Sequence, residues 1–369
     1  MENSGEYEKE KIYDRQLRLW GVKAQNRMLK SNVLIVGLSG INIEICKNLI
    51  LSGINITIID DNIINDEMIE SIFFLSEEDI NKHLCLPIFR ELKSINQLIN
   101  IKGYIGRIDI SNDCIVIDNE YIYKKNEEIN CEEKNDDEVV AIEVKEKSFS
   151  IEEYISNYTC VCISCEDYPL YELIKINELC HKNNIGFFSP MCNGKFAFLF
   201  SDFGKHVIEE LYYKKKNQNN NEKNNEKNNE INLKNEEKKK ENESIEIEYC
   251  KLSHFFNVPF ENFDKKTNKI IFHIFALIQF EKYKKLGKND KEIDHEEFHN
   301  FCRKYTFLKN DWITEIAKMY KVSFSPSCSI MGGVTSQEIR KFVSKQHESI
   351  PNFCVFDMNQ NVVCTSMIS

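Results

Sequence analysis

The chain has 369 residues, 42% hydrophobic and 29% charged, enough for one large globular domain or two modest ones. Its net charge of −11, from 48 basic and 59 acidic side chains, argues against a nucleic-acid partner. No apolar run approaches the roughly 20 residues that span a bilayer, and the acidic start Met-Glu-Asn-Ser-Gly-Glu is unlike a signal or transit peptide. The expectation is a protein of the nucleus and cytoplasm, without a membrane partner.

Taken in chain order, the first segment of interest is Tyr13-Asp14-Arg15-Gln16-Leu17-Arg18-Leu19-Trp20-Gly21. Its spacing fits an amphipathic helix packed by Leu17 and Trp20, with Arg15 and Arg18 in water. An arginine placed before the first strand could equally reach outward to another subunit. Its planar fork suits phosphate oxygens better than a lysine does.

Asn32 to Val36 is a short apolar run suited to a strand buried on both faces. Ile41 to Leu51 follows with helical spacing, Gly53 closes that helix, and Ile54 to Ile59 is a second β-branched strand. This βαβ unit implies parallel strands joined by a right-handed crossover. The turn between them reads Val36-Gly37-Leu38-Ser39-Gly40-Ile41-Asn42. A glycine turn in that place presents backbone N–H groups to a phosphate, and an acid about 20 residues on meets a ribose. Asp60 or Asp61 lies at that distance. The full fingerprint needs glycines at positions 37, 39 and 42, and Ser39 and Asn42 break it.

Asn126 to Lys147, with acids clustered around Glu132 to Glu138, reads as a long charged loop. Thr159 to Ser164 reads as a strand, Leu170 to Lys182 as a helix, and Ile185 to Ser189 and Phe196 to Phe200 as strands. From Lys214 to Glu243, 27 of 30 residues are Lys, Asn or Glu, so residues 211–245 are expected to be a disordered insertion. Ile270 to Leu286 is a strongly apolar helix, Gly333 to Ser344 a second helix, and Asn352 to Asp357 a strand. The expected fold is α/β: a doubly wound, mostly parallel, Rossmann-like sheet with helical and disordered insertions. Its first part is expected to run over residues 1–210, a helical insertion over 246–310, and its C-terminal part over 311–369.

Fourteen cysteines invite three readings. A disulfide framework does not suit a chain without a secretory signal. Zinc needs paired motifs, and Cys162-x-x-Cys165 stands alone, so no metal site is expected. Most of these cysteines read as small buried hydrophobes. Cys328 lies before a helix N-terminus, a place that lowers a thiol pKa, but no cysteine is assigned a catalytic role.

Tyr13 to Gly21, then Val-Leu-Ile-Val-Gly-Leu-x-Gly and Glu-Ile-x-Lys-Asn-Leu-Ile-Leu-Ser-Gly, resemble the ThiF-like adenylation fold of ubiquitin-activating enzymes. Ser325-Pro326-Ser327-Cys328-Ser329-Ile330-Met331-Gly332-Gly333, Gln337-Glu338-Ile339 and Pro351-Asn352-Phe353-x-x-Phe356-Asp357 extend the resemblance to the C-terminal end. Such enzymes pair one competent and one degenerate copy of the fold. The competent copy follows its second strand with an Asp-x-Asp turn and a Ser-Asn-Leu-Asn-Arg-Gln-like run that holds ATP. Here the run is Asp60-Asp61-Asn62-Ile63-Ile64-Asn65-Asp66-Glu67, and between Asn62 and Phe89 there is no arginine and a single lysine, Lys82. ATP brings about four negative charges, which this acidic segment is poorly placed to accept.

The resemblance therefore implies the degenerate copy, with no catalytic residue of its own. It implies that Arg15 reaches in trans to ATP, which the partner binds with Mg2+. Length without the inserts, and His181-Lys182-Asn183-x-Ile185-x-Phe187-Phe188, resemble the smaller, Aos-type subunits that pair with a catalytic Uba-type subunit to activate SUMO. Three alternatives are a regulatory subunit for the NEDD-type modifier, a free-standing NAD-dependent Rossmann oxidoreductase, and a homodimeric sulfur-carrier adenylating enzyme.

Overall fold

The computed structural model describes residues 2–124, 138–208, 244–263, 267–305, 308–346 and 351–367. Helix α1 (Glu2–Lys30) breaks at Gly21, whose φ of 80° takes the chain out of helical geometry. Then come β1 (Asn32–Val36), α2 (Gly40–Leu51), β2 (Asn55–Asp60), α3 (Asp66–Ser71) and α4 (Cys85–Ile95). Next are β3 (Ile101–Asp109), β4 (Cys114–Lys124), β5 (Glu138–Ser150), α5 (Ile151–Ile155), β6 (Cys160–Ile163) and α6 (Ile174–Lys182). Strands β7 (Gly186–Asn193), β8 (Phe196–Asp202), β9 (Lys205–Ile208) and β10 (Ile245–Glu248) follow. The chain continues through α7 (Leu252–Phe255), α8 (Lys269–Lys284), α9 (His295–Cys302), α10 (Asn310–Lys318) and α11 (Ser325–Ser344). It ends on β11 (Phe353–Asp357) and β12 (Val362–Ser366).

Ten strands make one sheet in the order β12-β11-β8-β7-β6-β1-β2-β3-β4-β5, and β9 pairs with β10 in a separate ribbon. The five central strands, β7 to β3, run parallel, and antiparallel strands extend the sheet on both sides. This is the doubly wound α/β sheet expected from the βαβ pattern. In β1, Val33 to Val36 are all buried because both faces are covered. Val33 and Ile35 join a core with α2, α4 and α11. Leu34 and Val36 join the opposite core, with α6 and α8. The α7 residue Phe255 ties that second layer together, with ring centroids 4.9 Å from Phe275 and 5.2 Å from Phe200 and Phe353. Helix α11 crosses α2 closely at Gly332, where a Cβ would lie 2.6 Å from the Glu44 Cβ.

Three expectations need correction or limits. The charged loop set at 126–147 is too long: from Glu138 the chain is β5, whose Glu138 pairs with Lys124 and whose Ser150 pairs with Cys114. The reason is Val139-Val140-Ala141-Ile142-x-Val144, a β-forming run that the neighbouring charges obscured. Residues 126–137 lie outside the described residues, as do 209–243 of the insertion expected at 211–245. The last helix begins at Ser325, eight residues before Gly333. Proline fits the first turn of a helix, and Pro326 stands there, so Cys328 lies within that turn rather than before it.

Candidate functional site

Strand order reverses between β1 and β6, and the crevice at their carboxyl ends is where open α/β sheets bind ligands. The glycine turn leaves β1 there. Gly37 has φ +76°, and a Cβ at this position would collide with the Asp167 Oδ2, delivered by the turn after β6. The chain's own carboxylate therefore lies over the turn.

The two residues that break the glycine fingerprint both serve the turn itself. Ser39 caps α2, its Oγ accepting the Asn42 N–H at 3.3 Å. Asn42 is buried, and its Nδ2 donates to the Gly37 carbonyl at 2.7 Å and to the Val36 carbonyl at 3.4 Å. The Cys162 thiol donates to Asn42 Oδ1 at 3.4 Å. Cys165, the other half of the Cys-x-x-Cys pair, contacts Ser189 Oγ at 3.0 Å, and both cysteines are buried in the sheet. Among the described residues no group of three or more metal-ligating side chains is arranged around a common point.

The turn's next backbone group also points inward. The Leu38 N–H donates to Asp60 Oδ2 at 2.8 Å. Asp60 additionally accepts from the Asn62 backbone at 3.0 Å and from Asn62 Nδ2 at 2.8 Å. The same amide reaches both oxygens of Asp167 at 3.4 Å. Burial, and then the Asp167 charge, push Asp60 up to about 7. Asp60 stands where a ribose acid was expected, but its carboxylate is spent inside the protein.

Lys288, in the loop after α8, closes the cluster. Its Nζ lies 2.8 Å from Asp61 Oδ1 and 3.8 Å from Asp167 Oδ1. Burial alone would lower its pKa, but Asp167 and Asp61 outweigh burial and hold it above the ordinary lysine value. Lys82 is taken as well, paired with Asp79 at 3.2 Å. Three carboxylates, one ammonium and an internally bonded turn do not fit a nucleoside triphosphate, whose phosphates need outward N–H groups and excess positive charge.

A wider cleft of 1250 Å³ adjoins the turn, lined by Ser39, Gly40, Glu166, Lys291 and the stretch around Lys321 to Pro326. Glu166 accepts the Cys192 N–H at 3.3 Å, and the low-polarity surroundings of its carboxyl push it up to about 8. Asp167, Glu166 and Lys288 were not singled out from sequence. The pair Glu166-Asp167 carried a signal, being acids just past a buried strand, whereas Lys288 carried none.

At the N-terminal helix, Tyr13 is buried, and its hydroxyl accepts from Asn96 Nδ2 at 2.9 Å. Arg15, two residues on, is exposed. Arg18 pairs with Asp14 at 3.1 Å in water, and Trp20 is covered by the Arg340 guanidinium at 3.8 Å.

Comparison with known proteins agrees with this fold. The chain is 26% identical over 364 residues to SUMO-activating enzyme subunit 1 of Dictyostelium discoideum, covering 95% of this chain and 91% of that protein. It is 24% identical over 363 residues to the protein of the same name from Homo sapiens, covering 94% and 91%. The crystal structure of PaaA superposes with a TM-score of 0.51 at 10% identity, covering 96% of this chain and 82% of that one, a likeness of fold alone. The ThiF family pattern matches residues 13–367, both ends of the sheet included, and the chain belongs to the ThiF family.

Proposed function

We propose that this chain is the non-adenylating subunit of a heterodimeric enzyme that activates a ubiquitin-like modifier, with SUMO the modifier and a Uba-type adenylating chain the partner. The observation that carries the reading is Asp167 over Gly37, with Leu38 N–H turned to Asp60. A chain whose glycine turn is filled by its own carboxylate needs a second chain to hold ATP and Mg2+. The names of its relatives supply the choice of SUMO. Nucleus and cytoplasm remain the proposed location.

In this reading Arg15 is presented to the partner. It is exposed and held on a helix that Tyr13 anchors to the core. A guanidinium reaching the partner's nucleotide would offset charge on the departing pyrophosphate while the modifier's C-terminal carboxylate attacks the α-phosphorus. The partner's own cysteine would then attack the carbonyl of the resulting acyl-adenylate, forming a thioester as the bond to the phosphate breaks and AMP leaves.

The test is modifier-dependent ATP–pyrophosphate exchange. The purified chain alone should show none, and the co-purified pair should exchange. Arg15→Ala should leave the pair intact by gel filtration and slow exchange about 100-fold, the order seen when one transition-state donor is removed. Exchange by the isolated chain would overturn the reading, and full exchange in the Arg15→Ala pair would remove Arg15 from it.

A further inference from the structure

The ten-stranded sheet ends on two open strands, β12 and β5. Every second residue of such a strand turns its N–H and C=O away from its neighbour, ready to pair with another chain. Proteins guard these edges with shortness, charge, proline or a bulge. Strand β12 is five residues long, so shortness guards it. Strand β5 has 13 residues, and its two halves differ. Its second half carries Lys145-Glu146-Lys147, and there the ladder slips: Glu143 pairs with Asn119 and Lys147 with Ile117, which leaves residues 144–146 opposite Asp118 alone. Its first half pairs residue for residue with β4, from Glu138 on Lys124 to Glu143 on Asn119. Between those two glutamates Val139-Val140-Ala141-Ile142 is apolar, with no charge, proline or bulge. Among the described residues no strand pairs with its outer edge.

Charge says what this edge accepts. Five of the seven residues from Glu132 to Glu138 are acidic, Lys134 is the one base among them, and Glu143 closes the apolar run. Like charges opposite one another on paired strands repel, so acidic ends select a partner whose own strand edge is bordered by lysine or arginine. Position separates this edge from the surface assigned to the adenylating chain. The helix that carries Arg15 packs on α11 and β2, and β5 lies three strands beyond β2. The two surfaces therefore need not compete for one partner.

We propose that the Val139 to Glu143 edge of β5 is a non-covalent docking site for the ubiquitin-like modifier, which lays a strand edge of its own beside β5. The inference rests on the proposed function, which makes the modifier a protein that the pair must capture. Main-chain hydrogen bonds give such a contact its affinity, and side chains at alternate positions give it selectivity. Val140 and Ile142 share one face of the strand, Val139 and Ala141 the other. Five residues offer about 17 Å of edge, a small contact that forms and releases readily. Docking there holds the modifier beside the pair and raises its effective concentration for the adenylating site.

The experiment titrates isotopically labelled SUMO with the purified full chain and follows the amide resonances of SUMO. Shifts should concentrate on one strand edge bordered by basic residues, and amide hydrogen exchange over residues 139–143 of the chain should slow. Val140→Lys combined with Ile142→Lys should weaken binding about tenfold, and Glu143→Lys, at the end of the run, should do the same where the double variant melts early. Binding should also weaken at 1 M sodium chloride, where the screening length is about 3 Å. Absence of shifts with the wild-type chain in excess would overturn the docking site, and pyrophosphate exchange by the pair with SUMO would show that the proposed function stands without it. Binding unchanged in every lysine variant would place the modifier elsewhere and overturn the assignment to β5. Protection of residues 139–143 by the adenylating chain alone, or by self-association of this chain, would give the edge to that occupant instead. Docking at β5 without exchange by the pair would strike the proposed function and leave the strand contact.

Discussion

The side-chain amide of Asn42 donates to the Gly37 carbonyl at 2.7 Å, five residues back along the chain. A glycine turn that binds phosphate needs a small residue where Asn42 stands, so that ligand and helix can close on the backbone. Here the amide fills that space and ties helix to turn. Asn42→Gly restores the glycine at that position yet removes these bonds and places a glycine in the first turn of α2. The expected cost is about 2–3 kcal/mol in denaturant unfolding, with no nucleotide-induced thermal shift gained, because Asp167 still covers Gly37.

Lys288 holds Asp61 and Asp167 together. Its side chain is 36% exposed, so solvent screens the pair, and Lys288→Met should cost on the order of 1 kcal/mol. Salt offers the control. The gap between wild type and variant should narrow at 1 M sodium chloride, where the screening length falls to about 3 Å. A gap that stays constant would mean that the methylene stem, and not the charge, matters.

Glu166 titrates at about 8 in the folded chain against an ordinary 4.5. Between those values the folded state holds a proton that the unfolded state has released. The stability it contributes is therefore full below about 4.5 and lost as the pH rises through 8. Asp60 and Glu281, both pushed up to about 7 by burial, act in the same direction. Thermal melts should show the wild type losing stability from pH 5 to pH 8. Glu166→Gln keeps an acceptor for the Cys192 N–H, so it should flatten that slope and melt on the order of 2 °C higher at pH 8.

Tyr13 anchors the N-terminal helix through a buried ring and one hydrogen bond to Asn96, whose amide also donates to the Ile50 carbonyl at 2.8 Å. Tyr13→Phe should cost about 1 kcal/mol, the net worth of the bond. Tyr13→Ala should cost about 3–5 kcal/mol for the lost ring and the cavity it leaves. Limited proteolysis between Asp14 and Gly21 should accelerate in the alanine variant alone. Equal cleavage in both variants would show that the ring does not hold the helix.

How much was legible in the residues varies with sequence distance. The unit from Asn32 to Ile59 was readable because a buried strand, a capped helix and a left-handed glycine at Gly53 are each written within a few neighbouring positions. The loss of the glycine fingerprint at Ser39 and Asn42 was equally local. Strand β5 was hidden, since charges flanking Val139 to Val144 mask a pattern that forms only when β4 lies beside it.

The sequence by itself determined the α/β class, the place of the glycine turn and the poverty of positive charge around it, because backbone propensity and composition act over short range. Only the tertiary structure decided what fills the crevice. Asn62 meets Asp167 across 105 residues, and Lys288 meets Asp61 across 227. No periodicity encodes such pairs: they exist because a parallel sheet delivers the ends of distant strands to one edge, where buried carboxylates must find donors or protons. The sequence showed a glycine fingerprint broken at Ser39 and Asn42, and the fold shows the turn closed from within by Asp60, Asn62 and Asp167.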